Sequence, residues 1–499
     1  MENNINNEPI KMVARECKFV VHLPKINGVR KDTHIVKEYL HYSDGSFKKN
    51  LRIVENYRRP FWVTKPFYQK NKVKKESEEL SKLNEYTSTE SDLGRNIASR
   101  LGNRYAGVTK KRDVIDSPFL YGTDVSAATI IKKSYMDKYP NHITAYEYAT
   151  LDIETNTLDK SFGMDDGEIT IVTLSMVDKS HTVVTKRYLG NQKNIKSRIE
   201  HLFNKYVPDG LAKKAKRSLD IVENEVELVK KIMLKAHEWE PDIIGIWNIG
   251  FDLPKMTSVL EKAGIDPGTV FTDPKLPKNL QHYEYKEGMK QKVTESGKYT
   301  PIKPEEQWHT AIIPASFFFI DAMSSHRYVR AGGKTMPGGY SLDNILEQEL
   351  GSKFKKLKFD EGEVKMKGIE WHRYMSSTKP IEYIVYNMWD TMSMIELDLK
   401  TKDLTTSLPM LSGPSSFAIF NSGPKKIVDA MHFYYLSKGS VLGVKPSKIN
   451  DDKILGLDDW IILLPSHRIT NNGLQVINEN CDIKTNARGH TYDADITVI

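Results

Sequence analysis

Three acid-bearing stretches place the hardest demand on any fold for this chain: Leu151-Asp152-Ile153-Glu154-Thr155, Trp247-Asn248-Ile249-Gly250-Phe251-Asp252 and Tyr386-Asn387-Met388-Trp389-Asp390. They read as a strand, a strand-to-helix turn and a helix, and they make chemical sense together only if the fold brings all three to one point. Ala149 to Glu154 is β-branched and alternating, so Asp152 and Glu154 share one sheet face by the two-residue repeat. Ile169 to Val177 follows as its hairpin partner. Ile243-Ile244-Gly245-Ile246-Trp247 reads as a short buried strand. For Asp252 the plain alternative is a cap on a helix beginning at Leu253-Pro254. Pro380 marks an expected helix start, with the helix running to about Lys402. Ile384, Met388, Met392, Ile395 and Leu399 form its core stripe, while Tyr386 and Asp390, four apart, share a different face and should point together out of the packed side.

From Tyr148 onward strands alternate with helices, which predicts a mixed α/β sheet. Asp220 with Glu223 resembles a capping box opening a helix whose apolar stripe is Val222, Val226, Val229, Met233 and Ala236. Thr294 to Lys298 lies between alternating segments and suggests a protruding hairpin. From Lys18 to about Tyr148 short β-like stretches accompany a charged run, Gln69 to Lys82, that reads as an exposed helix; no catalytic grouping stands out there. At 499 residues, 39% hydrophobic and 28% charged, the chain has room for two to four domains with real cores. No fixed-period repeat is visible. Met1 to Asn7 is polar, and the densest apolar run, Trp460 to Leu464, is far too short to span a bilayer, so neither export nor membrane insertion is expected. Cys17 and Cys481 are the only cysteines, which excludes a disulfide framework or a thiolate zinc site within one chain and makes a reducing cytoplasm the expected compartment.

The chemistry that suits these acids is phosphodiester hydrolysis. It needs a deprotonated water in line with the leaving oxygen and a countercharge for the transition state, which two metals about 4 Å apart supply. Two magnesium or manganese ions, which favour oxygen ligands and keep several waters, fit a few carboxylates from separate elements. In this reading Asp152 bridges both ions, Glu154 and Asp390 complete the nucleophile-side ion, and Asp252 supports the other. Tyr386, neutral at pH 7, orients the attacking water. A net charge of +8 is compatible with a polyanionic substrate without being diagnostic of one. Lys110-Lys111-Arg112, Lys213 to Arg217 and Lys353 to Lys358 are local basic clusters that would neutralise phosphates if they line a groove; most such runs are solvated faces.

The three acidic motifs resemble those of the proofreading 3′→5′ exonuclease in family B DNA polymerases, in its tyrosine-bearing class; five residues before the last aspartate stands Val385, where the other class carries histidine. Asp116-Ser117-Pro118-Phe119-Leu120-Tyr121-Gly122 and Tyr340-Ser341-Leu342-Asp343-Asn344 extend the likeness, which is nearest to phage replicative polymerases. It implies an α/β and α+β multidomain protein: a polymerase N-terminal domain over 1–145, an RNase H-like exonuclease domain over 146–402, a return segment over 403–465 and the start of a palm over 466–499. It implies that Asn248 and Phe251 contact a frayed primer end, and that the hairpin around Ser296-Gly297 helps part primer from template. Tyr492-Asp493-Ala494-Asp495-Ile496-Thr497 is similar to the first palm motif, with Asp495 as the metal ligand. The later palm motifs are missing, so a second polypeptide is expected to supply the polymerase chemistry. DNA, as a single-stranded 3′ end or a primer-template, is the implied partner, and the host cytoplasm the implied place if the protein is viral. A freestanding DNA or RNA exonuclease and a non-enzymatic nucleic-acid-binding fragment are the rival readings.

Overall fold

The structure, a computed structural model, describes residues 10–70, 74–156, 167–293, 297–331, 336–359, 368–404, 423–444, 467–470, 473–476, 483–484 and 491–492. Asp495, Cys481 and the hairpin tip Thr294 to Ser296 lie outside the described residues. The protein is mixed α/β and divides into two compact units.

The larger unit comprises Met1–Arg59, Thr89–Ser91 and Val125–Ala430. It opens with an antiparallel meander of β1 (Met12–Leu23), β2 (Thr33–Tyr42) and β3 (Phe47–Glu55), against which α1 (Ala127–Lys138) packs. Its main sheet has six strands: β4 (Tyr148–Thr155), β5 (Ile169–Ser175), β6 (Lys179–Thr185), β7 (Lys216–Val222), β8 (Ile243–Ile246) and β9 (Phe318–Asp321), in the order β7-β6-β5-β4-β8-β9. The β4/β5 and β5/β6 pairs are antiparallel, and β6/β7, β4/β8 and β8/β9 are parallel. The chain thus leaves β4 to one side, then returns to build outward from its other edge. That makes the carboxyl ends of β4 and β8 a topological switch point, where open α/β sheets form their crevices.

The two faces of β4 are divided by the pleat. Ala149, Leu151 and Ile153 pack with Leu228, Val229 and Ile232 of α2 (Glu225–Trp239), while Thr150, Asp152 and Glu154 meet α4 (Pro380–Thr401). The meander is fastened beneath this sheet by a buried cluster: Tyr39 donates its hydroxyl to Asp242 at 3.0 Å, and the Lys37 ammonium donates to the Ser316 carbonyl at 2.7 Å. Gly245 of β8 lies under Tyr148, where an added Cβ would stand 2.6 Å from the phenol oxygen and 2.8 Å from a ring carbon. Because Tyr148 is itself buried, Gly245→Ala is expected to cost about 2 kcal/mol, read as a lowered urea midpoint at unchanged slope.

Several local expectations are corrected. Asp220 lies in β7 rather than at a helix start; α2 begins at Glu225, Asn224 caps it by accepting from the Glu227 amide, and Glu227 reaches back to the Glu223 amide. The box is real but four residues later, because the alternating run Lys216–Val222 pairs with β6 first. In Gln69 to Lys82 the described residues form a strand, Ser77–Glu79, and a single 3₁₀ turn, not an exposed helix. Helix α3 (Ile249–Lys262) starts ahead of Asp252, which puts that acid in the first turn and sets aside the alternative of a cap at Leu253-Pro254. Helix α4 begins at Pro380 as expected, yet it is covered nearly all round, and Tyr386 and Asp390 are buried. The hairpin forms: Gln291–Val293 pairs with Tyr299–Pro301, with Gly297 in the left-handed region at φ 78°.

The smaller unit comprises Pro60–Ser88, Asp92–Asp124 and Met431–Ile499. Phe61, Val63, Leu93, Ile97, Val114 and Leu120 form its core, and Ser440–Leu442 pairs with Ser77–Glu79. Among the described residues no helix is long and apolar enough to cross a membrane.

Candidate metal centre

Helix α4 runs antiparallel to β4, and the two are fastened rung by rung. Thr150 donates its hydroxyl to the Thr391 carbonyl at 2.8 Å, Asn387 donates its amide to Asp152 Oδ2 at 2.7 Å, and Tyr383 donates its hydroxyl to Glu154 Oε2. The match is geometric. Two strand residues advance about 6.6 Å and four helix residues about 6.0 Å, so positions 150, 152 and 154 meet 391, 387 and 383 in succession. This register holds the two β4 carboxylates, and the next ridge of α4 brings Asp390 beside them.

Oxygens of Asp152, Glu154 and Asp390 all lie within 4.8 Å of one another. Asp252 comes from the first turn of α3 and accepts a hydrogen bond from the Ile153 amide at 3.1 Å, which sets it against the same strand end. Burial raises the pKa of all four acids. Asp152 is pushed well above the usual carboxylate range by burial, then by the charges of Asp252, Glu154 and Asp390. Burial lifts Glu154 to about 8 and Asp252 to about 7, and it also raises Asp390. Acids crowded this way call for a cation. Asp390 Oδ1 is buried with no hydrogen-bond partner, whereas Asp152 keeps partial exposure, giving an ion a route in. The donor set is all hard oxygen, which fits magnesium or manganese retaining water.

Lys356 is the residue that sequence reasoning missed as part of the centre. Its ammonium lies 2.5 Å from Asp390 Oδ2 and donates to the Tyr386 hydroxyl at 2.9 Å. Burial alone would lower its pKa, but Asp390, Asp152 and Glu154 outweigh that and raise it. The loop is pinned on both sides: the Trp389 indole donates to the Lys355 carbonyl, and the Lys356 amide donates to Asp343, each at 2.9 Å. The only signal was its membership of the basic run Lys353 to Lys358. Tyr383, Asn387 and His372 were also unread. His372 Nδ1 lies 2.7 Å from the Tyr383 hydroxyl, and its pKa is lowered to about 4 by burial and by Lys356. The i, i+4, i+8 spacing of Tyr383, Asn387 and Thr391 against alternate residues of β4 would have found the helix partners.

Of the other expected site residues, Asn248 is exposed just ahead of α3, and Phe251 is half-buried against the apolar core, so part of its ring serves packing. In the run Lys213 to Arg217, Arg217 pairs with Glu200 at 2.6 Å and Lys213 with Asp209 at 2.8 Å, which makes both of them local ion pairs. Lys355 pairs with Glu347 at 2.7 Å. No known family model matches the chain, and no curated protein is found that is similar to it.

Proposed function

We propose that this chain is a metal-dependent 3′→5′ exonuclease acting on DNA, and that it is the proofreading part of a family B DNA polymerase. The observation that carries the nuclease is the convergence of Asp152, Glu154 and Asp390 within 4.8 Å, with Asp252 in the first turn of α3 hydrogen-bonded to the Ile153 amide of the same strand end. The mixed sheet with flanking helices is what an RNase H-like domain would require. The polymerase ancestry rests on the order and wording of the three motifs.

When bound, two divalent ions would supply a lowered pKa for the attacking water and countercharge for the scissile phosphate. Asp152 would bridge them, Glu154 and Asp390 would complete one site, and Asp252 would support the other. Asn387 and Tyr383 hold the two β4 carboxylates in place by hydrogen bonds. Tyr386 stays neutral, its pKa raised by burial and by Asp390, so it orients the attacking water rather than removing its proton. Lys356 places a positive charge beside that hydroxyl. A cavity lined by Asp343, Lys356, Lys358, Trp371, His372 and Tyr386 adjoins the centre and would offer aromatic faces to a terminal nucleotide, with its two lysines paired to Asp390 and Asp343. Asn248, exposed at the start of α3, and Phe251 in its first turn would contact the frayed end.

Single-stranded DNA labelled at its 5′ end should be shortened stepwise from the 3′ end with magnesium or manganese, and chelator should stop it. Internal cuts, or an intact ladder with either metal, would refute the assignment; equal digestion of RNA would detach it from a polymerase.

The proton balance gives a further expectation. Glu154 and Asp252 titrate near 8 and 7 when folded, above their ordinary values, so the metal-stripped protein binds more protons folded than unfolded. Their contribution to stability is fully present below the ordinary carboxylate range and is lost as pH rises through about 7 to 8. A metal must displace those protons, so magnesium affinity by calorimetry should climb across the same window. A flat profile would mean the acids are already ionised.

A further inference from the structure

A second group of ligating side chains lies in the meander, remote in sequence from the acidic motifs. His22 of β1 stands directly opposite His34 of β2 in the ladder, so the pleat sends both imidazoles to one face, and Asp32, in the bend just before β2, brings its carboxylate beside them. His22 Nε2 lies 3.2 Å and His34 Nδ1 3.8 Å from the same oxygen, Asp32 Oδ1, and ligand atoms of all three residues fall within 4.8 Å of one another. The imidazoles stack with centroids 4.7 Å apart.

One observation sets this group apart from an ordinary satisfied histidine pair. His34 is fully buried, and neither of its ring nitrogens has a hydrogen-bond partner. Leaving an imidazole nitrogen buried and unpaired costs about 1–3 kcal/mol, so the arrangement calls for something to bond to it. Asp32 is fully buried too, and its Oδ2 is already occupied by the Ser91 amide at 2.6 Å, which leaves Oδ1 facing the imidazoles.

We propose that His22, Asp32 and His34 form a zinc-binding site. Two imidazole nitrogens and one carboxylate oxygen suit zinc over magnesium, and bonds of about 2.0–2.1 Å in a tetrahedron place ligand atoms roughly 3.3 Å apart. The 3.2 Å pair already meets that spacing, the 3.8 Å pair stands slightly outside it, and all three ligand atoms lie within 4.8 Å of one another. The His22 side chain is 20% exposed, so water reaches the fourth position from its side. The ion would clasp the end of the β1–β2 hairpin to the segment Thr89–Ser91, which Asp32 and the Lys25 amide already hold through Ser91. This site is independent of the nuclease assignment.

The test is calorimetric titration of the metal-stripped full chain with zinc chloride, alongside Asp152→Asn/Glu154→Gln, His22→Ala and His34→Ala. One tight zinc equivalent is expected in the parent and in the acidic-centre variant, weakened more than roughly a hundredfold in the histidine variants. Zinc should raise the melting temperature of the parent but not of His22→Ala. Should His34→Ala fail to fold, His22→Ala, whose side chain is partly exposed, decides the matter. Loss of the tight equivalent in the acidic-centre variant with retention in His22→Ala, or no tight equivalent in the parent, would overturn the proposal.

Discussion

Asp152→Asn combined with Glu154→Gln is expected to lower metal-dependent degradation of a DNA 3′ end by at least roughly 10³-fold while leaving the metal-stripped protein as stable as the parent or more so. The two effects separate because the amides keep the shape and the accepting oxygens that Asn387 and Tyr383 bond, so the rungs between α4 and β4 survive. What disappears is charge. In the parent, burial raises both carboxyls above their ordinary pKa, with the charges of Asp252, Glu154 and Asp390 adding to it at Asp152 and those of Asp390 and Asp252 at Glu154, and both neutral amides escape that cost in the variant. Activity by release of 3′-terminal nucleotides and stability by thermal melting in chelator check the two halves. Full activity would remove both acids from the reaction, and a large loss of stability would make them structural.

The second large effect is expected from Lys356→Met. The ammonium is three-quarters buried and sits against Asp390 and Tyr386, so its removal leaves an acidic cluster without its resident cation. Losing one partner of a buried pair costs about 3–5 kcal/mol, and partial exposure together with proton uptake by the acids brings this to about 2 kcal/mol near pH 8. The deficit should shrink as pH falls and the acids take up protons, and magnesium should reverse it. Magnesium affinity is expected to rise, because the ion no longer competes with an ammonium for Asp390 Oδ2. Turnover is expected to fall by roughly 10²-fold, since the Tyr386 hydroxyl loses the group that positions it. Urea melts in chelator and in magnesium, set beside the nuclease rate, separate these effects. Weaker magnesium binding in the variant would show that Lys356 supports the ion instead of standing in its place.

The parts of this structure that sequence made legible are those governed by local periodicity. The alternation in Ala149 to Glu154 marked β4, observed over Tyr148–Thr155, and put Asp152 and Glu154 on one face; Pro380 marked the start of α4. Local signals failed where tertiary contacts overrode them. The helix at Asp252 begins earlier than the alternative at Leu253-Pro254 had it, because β8 ends at Ile246, Asn248 takes the N-cap position and Pro254 is tolerated inside the helix. Two faces of α4 were read as one packed and one open, yet β4 and β5 cover the side carrying Asn387 and Thr391, and the Lys355–Lys356 loop closes over Asp390. Lys356 stands 34 residues from Asp390 and in a charged run, so nothing local distinguished it from its solvated neighbours. The zinc ligands were hidden for a related reason: Asp32 and His34 are two apart, but His22 joins them only through the β1–β2 register.

A crystal of the chain soaked in manganese and read by anomalous scattering bears most directly on the acidic centre. Two ions about 4 Å apart are expected, both touching Asp152, with Glu154 and Asp390 around one and Asp252 beside the other, and the Lys356 ammonium displaced from Asp390. Manganese absent from Asp152, with the ammonium still seated on Asp390, would contradict a two-metal nuclease at this site.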